Sequence, residues 1–297
     1  MKDIRDKSVI RHEDVIALNF IRDTGKLVFR RHHFNGLRSH IMEVLDSRDV
    51  EKENKGIRIK GIQRFPIAKP LKMLRIFRKR FSGFEEILDE IRRFQIVGRY
   101  LTSTHLAMSE EFIVDYRIGK NRDILLCGLQ EYVEGECLDP WSIQKNNRLE
   151  NLAEKLAERS GPGEVFSKSQ LIGKIEKSID SFVTQVKKMI REVQCVPDLA
   201  GNRNLLVTLE GHVKLVDINN ISYMSSDGCV LVDDFNYPVC DKSIEALSLI
   251  EQKLMGNKIE ENDPVYMNFL KPERLREVDS LARHFYQTIQ KPEGNGQ

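Results

Sequence analysis

The sequence has no C-x-x-C pair, no run of eighteen apolar residues and no apolar N-terminal stretch of the kind that opens a signal peptide. Each absence removes a class of protein. The five cysteines, Cys127, Cys137, Cys195, Cys229 and Cys240, are odd in number and mostly in apolar contexts. That is the pattern of buried free thiols rather than of a disulfide framework or a zinc site. Without a long apolar segment no membrane-spanning helix is expected. A soluble or at most peripheral chain in a reduced, cytoplasmic compartment is the expectation, and no internal repeat marks a solenoid.

Strong net charge is missing too, since the formal balance over 297 residues is +2. The balance conceals an asymmetry: residues 1–80 hold 21 Lys and Arg against 10 Asp and Glu, so the remainder is acidic. A basic N-terminal part suits a polyphosphate, an anionic membrane surface, nucleic acid or plain solvation. Residues 69–80 carry six of these cations, interleaved with aromatics only at Phe77 and Phe81. Stacking on single-stranded nucleic acid is therefore poorly served, while peripheral contact with an anionic membrane stays open. The composition, 40% hydrophobic and 31% charged, is that of an ordinary globular chain large enough for one big domain or two lobes.

The stretch richest in chemistry runs from Asp198 to Asn219. Two short apolar runs, Asn204-Leu205-Leu206-Val207 and His212-Val213-Lys214-Leu215-Val216, flank a Leu209-Glu210-Gly211 turn, which reads as a hairpin. A hairpin returns the chain to its start, so Asn204 and Asp217 should meet at its open end, with Asp198 facing the same space. An amide and two carboxylates there suit an oxygen-preferring cation such as Mg2+, plus a base.

This pattern resembles the catalytic core of the protein-kinase-like superfamily, in which an Asp precedes an Asn that opens a strand, and a second Asp follows the next strand. Asn204-Leu205-Leu206-Val207 is similar to the family's N-[IL]-L-[VL] run, and Asp217 follows Asn204 by thirteen positions, the usual interval. The chain departs from the pattern at Val196-Pro197-Asp198 in place of His-Arg-Asp, at a loop one residue longer, and at Asp217-Ile218-Asn219 in place of Asp-Phe-Gly. The resemblance implies an α+β, bilobal fold with a β-rich N-terminal lobe over 1–129, a hinge over 130–138, and a mainly helical C-terminal lobe over 139–290. A polar tail expected to be disordered, 291–297, follows.

The same resemblance assigns roles. Asp198 would be the catalytic base, and Asn204 and Asp217 would hold Mg2+ on ATP. In the strand Met73-Leu74-Arg75-Ile76-Phe77, Arg75 falls where the family's phosphate-holding lysine stands, with Lys72 as the alternative. Its carboxylate partner would come from a helix over 84–100, either Glu90 or Glu86. Gln130-Glu131-Tyr132-Val133-Glu134-Gly135 is similar to the kinase hinge, so Glu131, Tyr132 and Val133 would offer backbone groups to the adenine. Asp241, at the start of a helix beginning Cys240-Asp241-Lys242-Ser243, would brace the catalytic loop or act as an N-cap. No G-x-G-x-x-G occurs; Gly25, Gly36, Gly56 and Gly61 are isolated, and the phosphate-covering loop is unassigned.

The remaining periodicities predict strands at Val15–Ile21 and Lys26–Arg30, joined by an Asp23-Thr24-Gly25 turn. Further strands are expected at Glu111–Tyr116 and Asp123–Leu129, and helices over 141–158, 169–192 and 271–290. His32-His33 has no carboxylate at a convincing spacing and reads as a pair of surface imidazoles. Three functions remain in play: an ATP- and Mg2+-dependent phosphotransferase, a pseudokinase that binds nucleotide or a partner without transfer, and a basic nucleic-acid or membrane-surface module. The acceptor and the oligomeric state are not specified.

Overall fold

The computed structural model describes residues 3–33, 36–118, 121–142, 148–159, 166–225 and 228–289; the expected tail over 291–297 lies outside them. The chain is α+β, with a β-rich N-terminal part and a mainly helical C-terminal part. It divides into two compact units, one of residues 1–92 and 107–132, the other of residues 93–106 and 133–297.

The first unit is built on a five-stranded antiparallel sheet. After a short helix α1 (His12–Ile16) come β1 (Leu27–Arg31), β2 (Ser39–Asp46), helix α2 (Ser47–Lys55) and a separate hairpin, β3 (Ile57–Ile59) with β4 (Ile62–Arg64). Strand β5 (Lys72–Phe77), helix α3 (Phe84–His105), of which residues 93–105 belong to the second unit, β6 (Ser109–Ile118) and β7 (Asn121–Glu131) follow. The sheet order is β1-β2-β5-β7-β6. Leu74 and Ile76 of β5 point into a core with Phe29, Met42, Val44 and Leu125, onto which Val15 and Leu18 also pack. The predicted strand at Val15–Ile21 is therefore corrected: α1 and the turns after it occupy that stretch. A short apolar run carries no period long enough to separate helix from strand. The strand at Lys26–Arg30 and those at 111–116 and 123–129 form as expected.

The opposite face of β5 buries a charge. Arg75 Nη2 donates to Ser109 Oγ and to Glu111 Oε1, both at 2.9 Å, although both residues belong to β6, two strands away. Gly128 on the intervening β7 makes this route possible. A Cβ there would lie 3.1 Å from Arg75 Nη2 and 3.2 Å from Ser109 Oγ, so a larger residue would obstruct the passage. The pairing of Arg75 with Glu90 is thus corrected in favour of Glu111. Lys79 is the cation that approaches Glu90, at 3.6 Å, and it also meets Glu86 at 3.1 Å.

The second unit comprises β8 (Gly135–Cys137), α4 (Arg148–Arg159), α5 (Lys168–Val193), β9 (Cys195–Val196), β10 (Leu205–Thr208), β11 (Val213–Leu215), β12 (Ser222–Tyr223), α6 (Val239–Leu254) and α7 (Pro272–Ile289). Ser167 and Gln170 form a reciprocal capping box that starts α5, and its stripe Leu171, Ile175, Ile179, Phe182, Val183, Val186 is buried. The predicted helix over 141–158 is seen from Arg148; residues 143–147 lie outside the described set. In α3, Thr102 has φ of 52°, so regular helix ends close to the boundary expected at residue 100. None of the described helices is long and apolar enough to cross a membrane.

Two outcomes test this account of the first unit. Glu111→Ala leaves the Arg75 guanidinium without that carboxylate in a buried position and should cost about 3 kcal/mol or more in urea denaturation. His40 donates from Nε2 to the Ile4 carbonyl at 2.9 Å and accepts from Arg78 at Nδ1, the pattern of a neutral ring. Burial, and then the Arg78 guanidinium, hold its pKa down to about 4 against 6.5 in the open chain. The unfolded state alone gains a proton between those values, so stability should be complete above 6.5 and fall as pH drops toward about 4. A urea midpoint falling across that window in the native protein, and less in His40→Gln, checks it.

Candidate functional site

Strands β10 and β11 pair with Leu205 opposite Leu215 and Val207 opposite Val213, so the expected hairpin forms. Its turn is tight because Gly211, at φ of 87°, takes a conformation favourable to glycine, while Gly211 N donates to the Thr208 carbonyl. On the other side β10 pairs with β8, with Gly135 opposite Thr208. A Cβ on Gly135 would lie 2.2 Å from Val207 O, so the strands approach closely because that residue is glycine.

At the open end, Asn204 is held on three sides. Its amide nitrogen Nδ2 donates to the Asp198 carbonyl at 2.9 Å, its backbone N–H to the Gly201 carbonyl at 3.2 Å, and its own carbonyl accepts from Val216 N at 2.8 Å. With the N–H side of the amide engaged by the loop, the side-chain oxygen is the end that remains for a cation. Asp198 Oδ1 accepts from the backbone of Ala200 and Gly201 at 3.0 and 3.1 Å, and Asp217 Oδ1 accepts from Asn219 N at 3.0 Å. Both carboxylates are half-buried. The loop thus fixes Asp198 and Asn204 together, and Asp217 follows one residue after the Asn204–Val216 bond. Oxygen donors alone, two of them carboxylate, are the set that Mg2+ prefers.

Side chains from outside the hairpin support this loop. Ser243 Oγ on α6 accepts from Leu199 N at 3.1 Å, and Trp141 Nε1 donates to the Ala200 carbonyl at 3.1 Å. The brace on the loop backbone is therefore Ser243, and the expectation for Asp241 is corrected. Asp241 takes Arg274 of α7, whose Nε and Nη2 reach it at 2.5 and 3.2 Å. The same guanidinium donates to the Gly228 and Cys229 carbonyls at 2.8 and 3.2 Å. Beneath the hairpin, Val213 N donates to Ser178 Oγ and His105 Nδ1 meets the Val213 carbonyl, at 2.8 and 2.9 Å. Burial holds the His105 pKa below the usual value, consistent with a neutral ring bridging Val213 and Ser181. Neither Ser243 nor His105 was foreseen; each reaches its partner through tertiary packing and leaves no local pattern.

The candidates in the first unit are placed as follows. Arg75 is sealed by Glu111 and Ser109, with 2% of its surface exposed. Lys72 is the exposed cation at the start of the same strand, opposite Glu131 in the ladder. Glu131 spends its N–H on the Met108 carbonyl at 2.8 Å, so that group is already engaged. The two compact units divide between Tyr132 and Val133; both residues are half-buried and lie between the ladders of β7 and β8.

The histidine pair also differs from expectation. His32 Nδ1 lies 2.9 Å from Glu43 Oε1, and His32, His33 and Glu43 can each bring one ligand atom within 4.8 Å of the others. The carboxylate comes from β2 across the β1–β2 pairing, where Arg30 faces Glu43. Arg30 Nε also donates to Glu43 Oε2 at 2.8 Å, which offsets the negative charge a cation would need.

No family model matches the chain, and no curated protein sequence matches it. Similar solved structures include a ROP18 kinase domain in complex with AMP-PNP and sucrose, 10% identical with a TM-score of 0.37 over 90% of this chain and 83% of that one. A Toxoplasma gondii specific rhoptry antigen kinase domain is 12% identical with a TM-score of 0.37, over 87% and 74% of the two chains. At these values the functional reading rests on the geometry of the loop itself.

The fit of that loop can be measured. A Cβ at residue 201 would sit 2.4 Å from Asn204 Nδ2, so Gly201→Ala should lower stability by about 1–3 kcal/mol. Most of that penalty should vanish when Gly201→Ala is added to Asn204→Ala, giving a strongly non-additive double-mutant cycle in urea denaturation.

Proposed function

We propose that the chain is a kinase-like phosphotransferase that moves the γ-phosphoryl group of ATP to a hydroxyl. One observation carries the reading: Asn204 is locked by its amide nitrogen to the Asp198 carbonyl at 2.9 Å, at the end of a hairpin whose next polar residue is Asp217. Asn204 Oδ1 and the Asp217 carboxylate would hold Mg2+ on the nucleotide. When bound, Mg2+ neutralises phosphate charge and favours departure of ADP.

The remaining work belongs to Asp198. Its Oδ1 is fixed by two backbone N–H groups, which aims the carboxylate. Asp198 accepts the proton of the acceptor hydroxyl as the new O–P bond forms and the bond to the β-phosphate oxygen breaks. The acceptor class, a small molecule, a sugar or lipid hydroxyl, or a protein side chain, is left open by this loop.

A second reading, nucleotide binding without transfer, is favoured by the burial of Arg75 against Glu111 at 2.9 Å. A cation enclosed in this way is spent on the sheet, which leaves Lys72 as the solvent-facing cation of that strand.

Thermal shift with ATP and Mg2+ should show a metal-dependent rise in Tm for the native protein and none for Asp217→Ala. Asp198→Asn should keep the shift and reduce ATP turnover by about a hundredfold or more. Absence of any metal-dependent shift removes the phosphotransfer reading. A shift with turnover unaffected by Asp198→Asn selects binding without transfer through this base.

A further inference from the structure

The hairpin β3–β4 and the segment after it expose five large apolar side chains within thirteen residues. Ile62 and Ile67 show 72% and 79% of their surface, and Ile59, Phe65 and Leu71 are also exposed. Ile59 and Ile62 face each other across the last ladder position, so both stand on one face at the tip. The turn between them is Lys60-Gly61, with φ of 48° and 82°, a tight two-residue connection. The hairpin forms its own two-stranded sheet, apart from the five-stranded one. Two strands alone are marginal in water, and exposing this row is unfavourable unless something covers it.

The charge carried by this stretch of the chain is of one sign. Arg58, Lys60, Arg64, Lys69 and Lys72 lie within it, and no Asp or Glu occurs between Glu53 and Glu85. The nearest acids on α2 are already engaged, Glu53 by Arg30 and Glu51 by Lys55. One point of the segment is anchored, because Ala68 is buried and its carbonyl accepts from Arg30. The exposed residues Ile67 and Lys69 flank this fixed point.

We infer that this hairpin is a docking surface for an anionic lipid bilayer, the apolar side chains entering the headgroup boundary and the cations meeting phosphate and carboxylate headgroups. Apolar side chains gain by burial among acyl chains, and a row with one aromatic, Phe65, among four aliphatic residues is a poor stacking platform for nucleic acid bases. Cations around an apolar wedge add attraction that salt screens. The surface belongs to the first unit and is independent of the loop at Asp198.

Co-sedimentation of the full chain with vesicles tests the inference. The native protein should bind phosphatidylcholine vesicles containing phosphatidylserine, bind pure phosphatidylcholine weakly, and release as salt rises. The Ile59→Ser/Ile62→Ser variant should lose about tenfold or more of the affinity, as should Lys60→Glu/Arg64→Glu, with the circular-dichroism melt of each unchanged. No binding to phosphatidylserine vesicles, equal binding to both vesicle types, or native-like binding by the isoleucine variant overturns it. Tighter binding to single-stranded RNA than to the anionic vesicles, unaffected by the isoleucine changes, overturns it as well.

Discussion

A single amide holds the chemical end of this molecule in order. Asn204 joins a loop and two strands: its side chain grips the Asp198 carbonyl, its N–H grips Gly201, and its carbonyl receives Val216. Three hydrogen bonds on one buried residue fix the loop geometry at small conformational cost, since the backbone there is already committed to the hairpin. Gly201 has no side chain because the amide occupies the space one would need. Two supports, Ser243 on α6 and Trp141 in a turn, reach the neighbouring residues Leu199 and Ala200.

The first unit solves a different problem. A guanidinium inside a sheet is costly, and β5 carries one because Gly128 opens a path across β7 to Glu111 and Ser109. Arg75 therefore serves cohesion, while the positive surface potential of this unit comes from residues on its outside. Buried and exposed cations sit on the same short stretch of sequence, Arg75 within β5 and Lys72 at its start.

How much of this could be read in advance depends on the range of each interaction. The hairpin, the strands flanking it and the amphipathic stripe of α5 depend on near neighbours, and the sequence announces them. Residues 39–64 announced little: Ser47 to Lys55 of α2 is polar apart from Val50 and has no buried residue, and the Lys60-Gly61 turn lacks the usual Asn or Asp. Partners that meet through packing were misread or missed. The resemblance implies a pair between Glu90 and Arg75, but the ladder order puts Glu111 there instead. Asp241 has the right position for a brace, yet Arg274 claims it and Ser243, two residues on, reaches the backbone.

Arg274 also bears on how the chain can be handled. One side chain on the last helix gathers a carboxylate from α6 and two carbonyls from the segment at 228–229. A fragment trimmed before Pro272 would strand the Asp241 carboxylate and leave that segment untethered. The C-terminal helix is thus a clasp on the second unit, and shortening the protein from that end would loosen residues more than forty positions upstream.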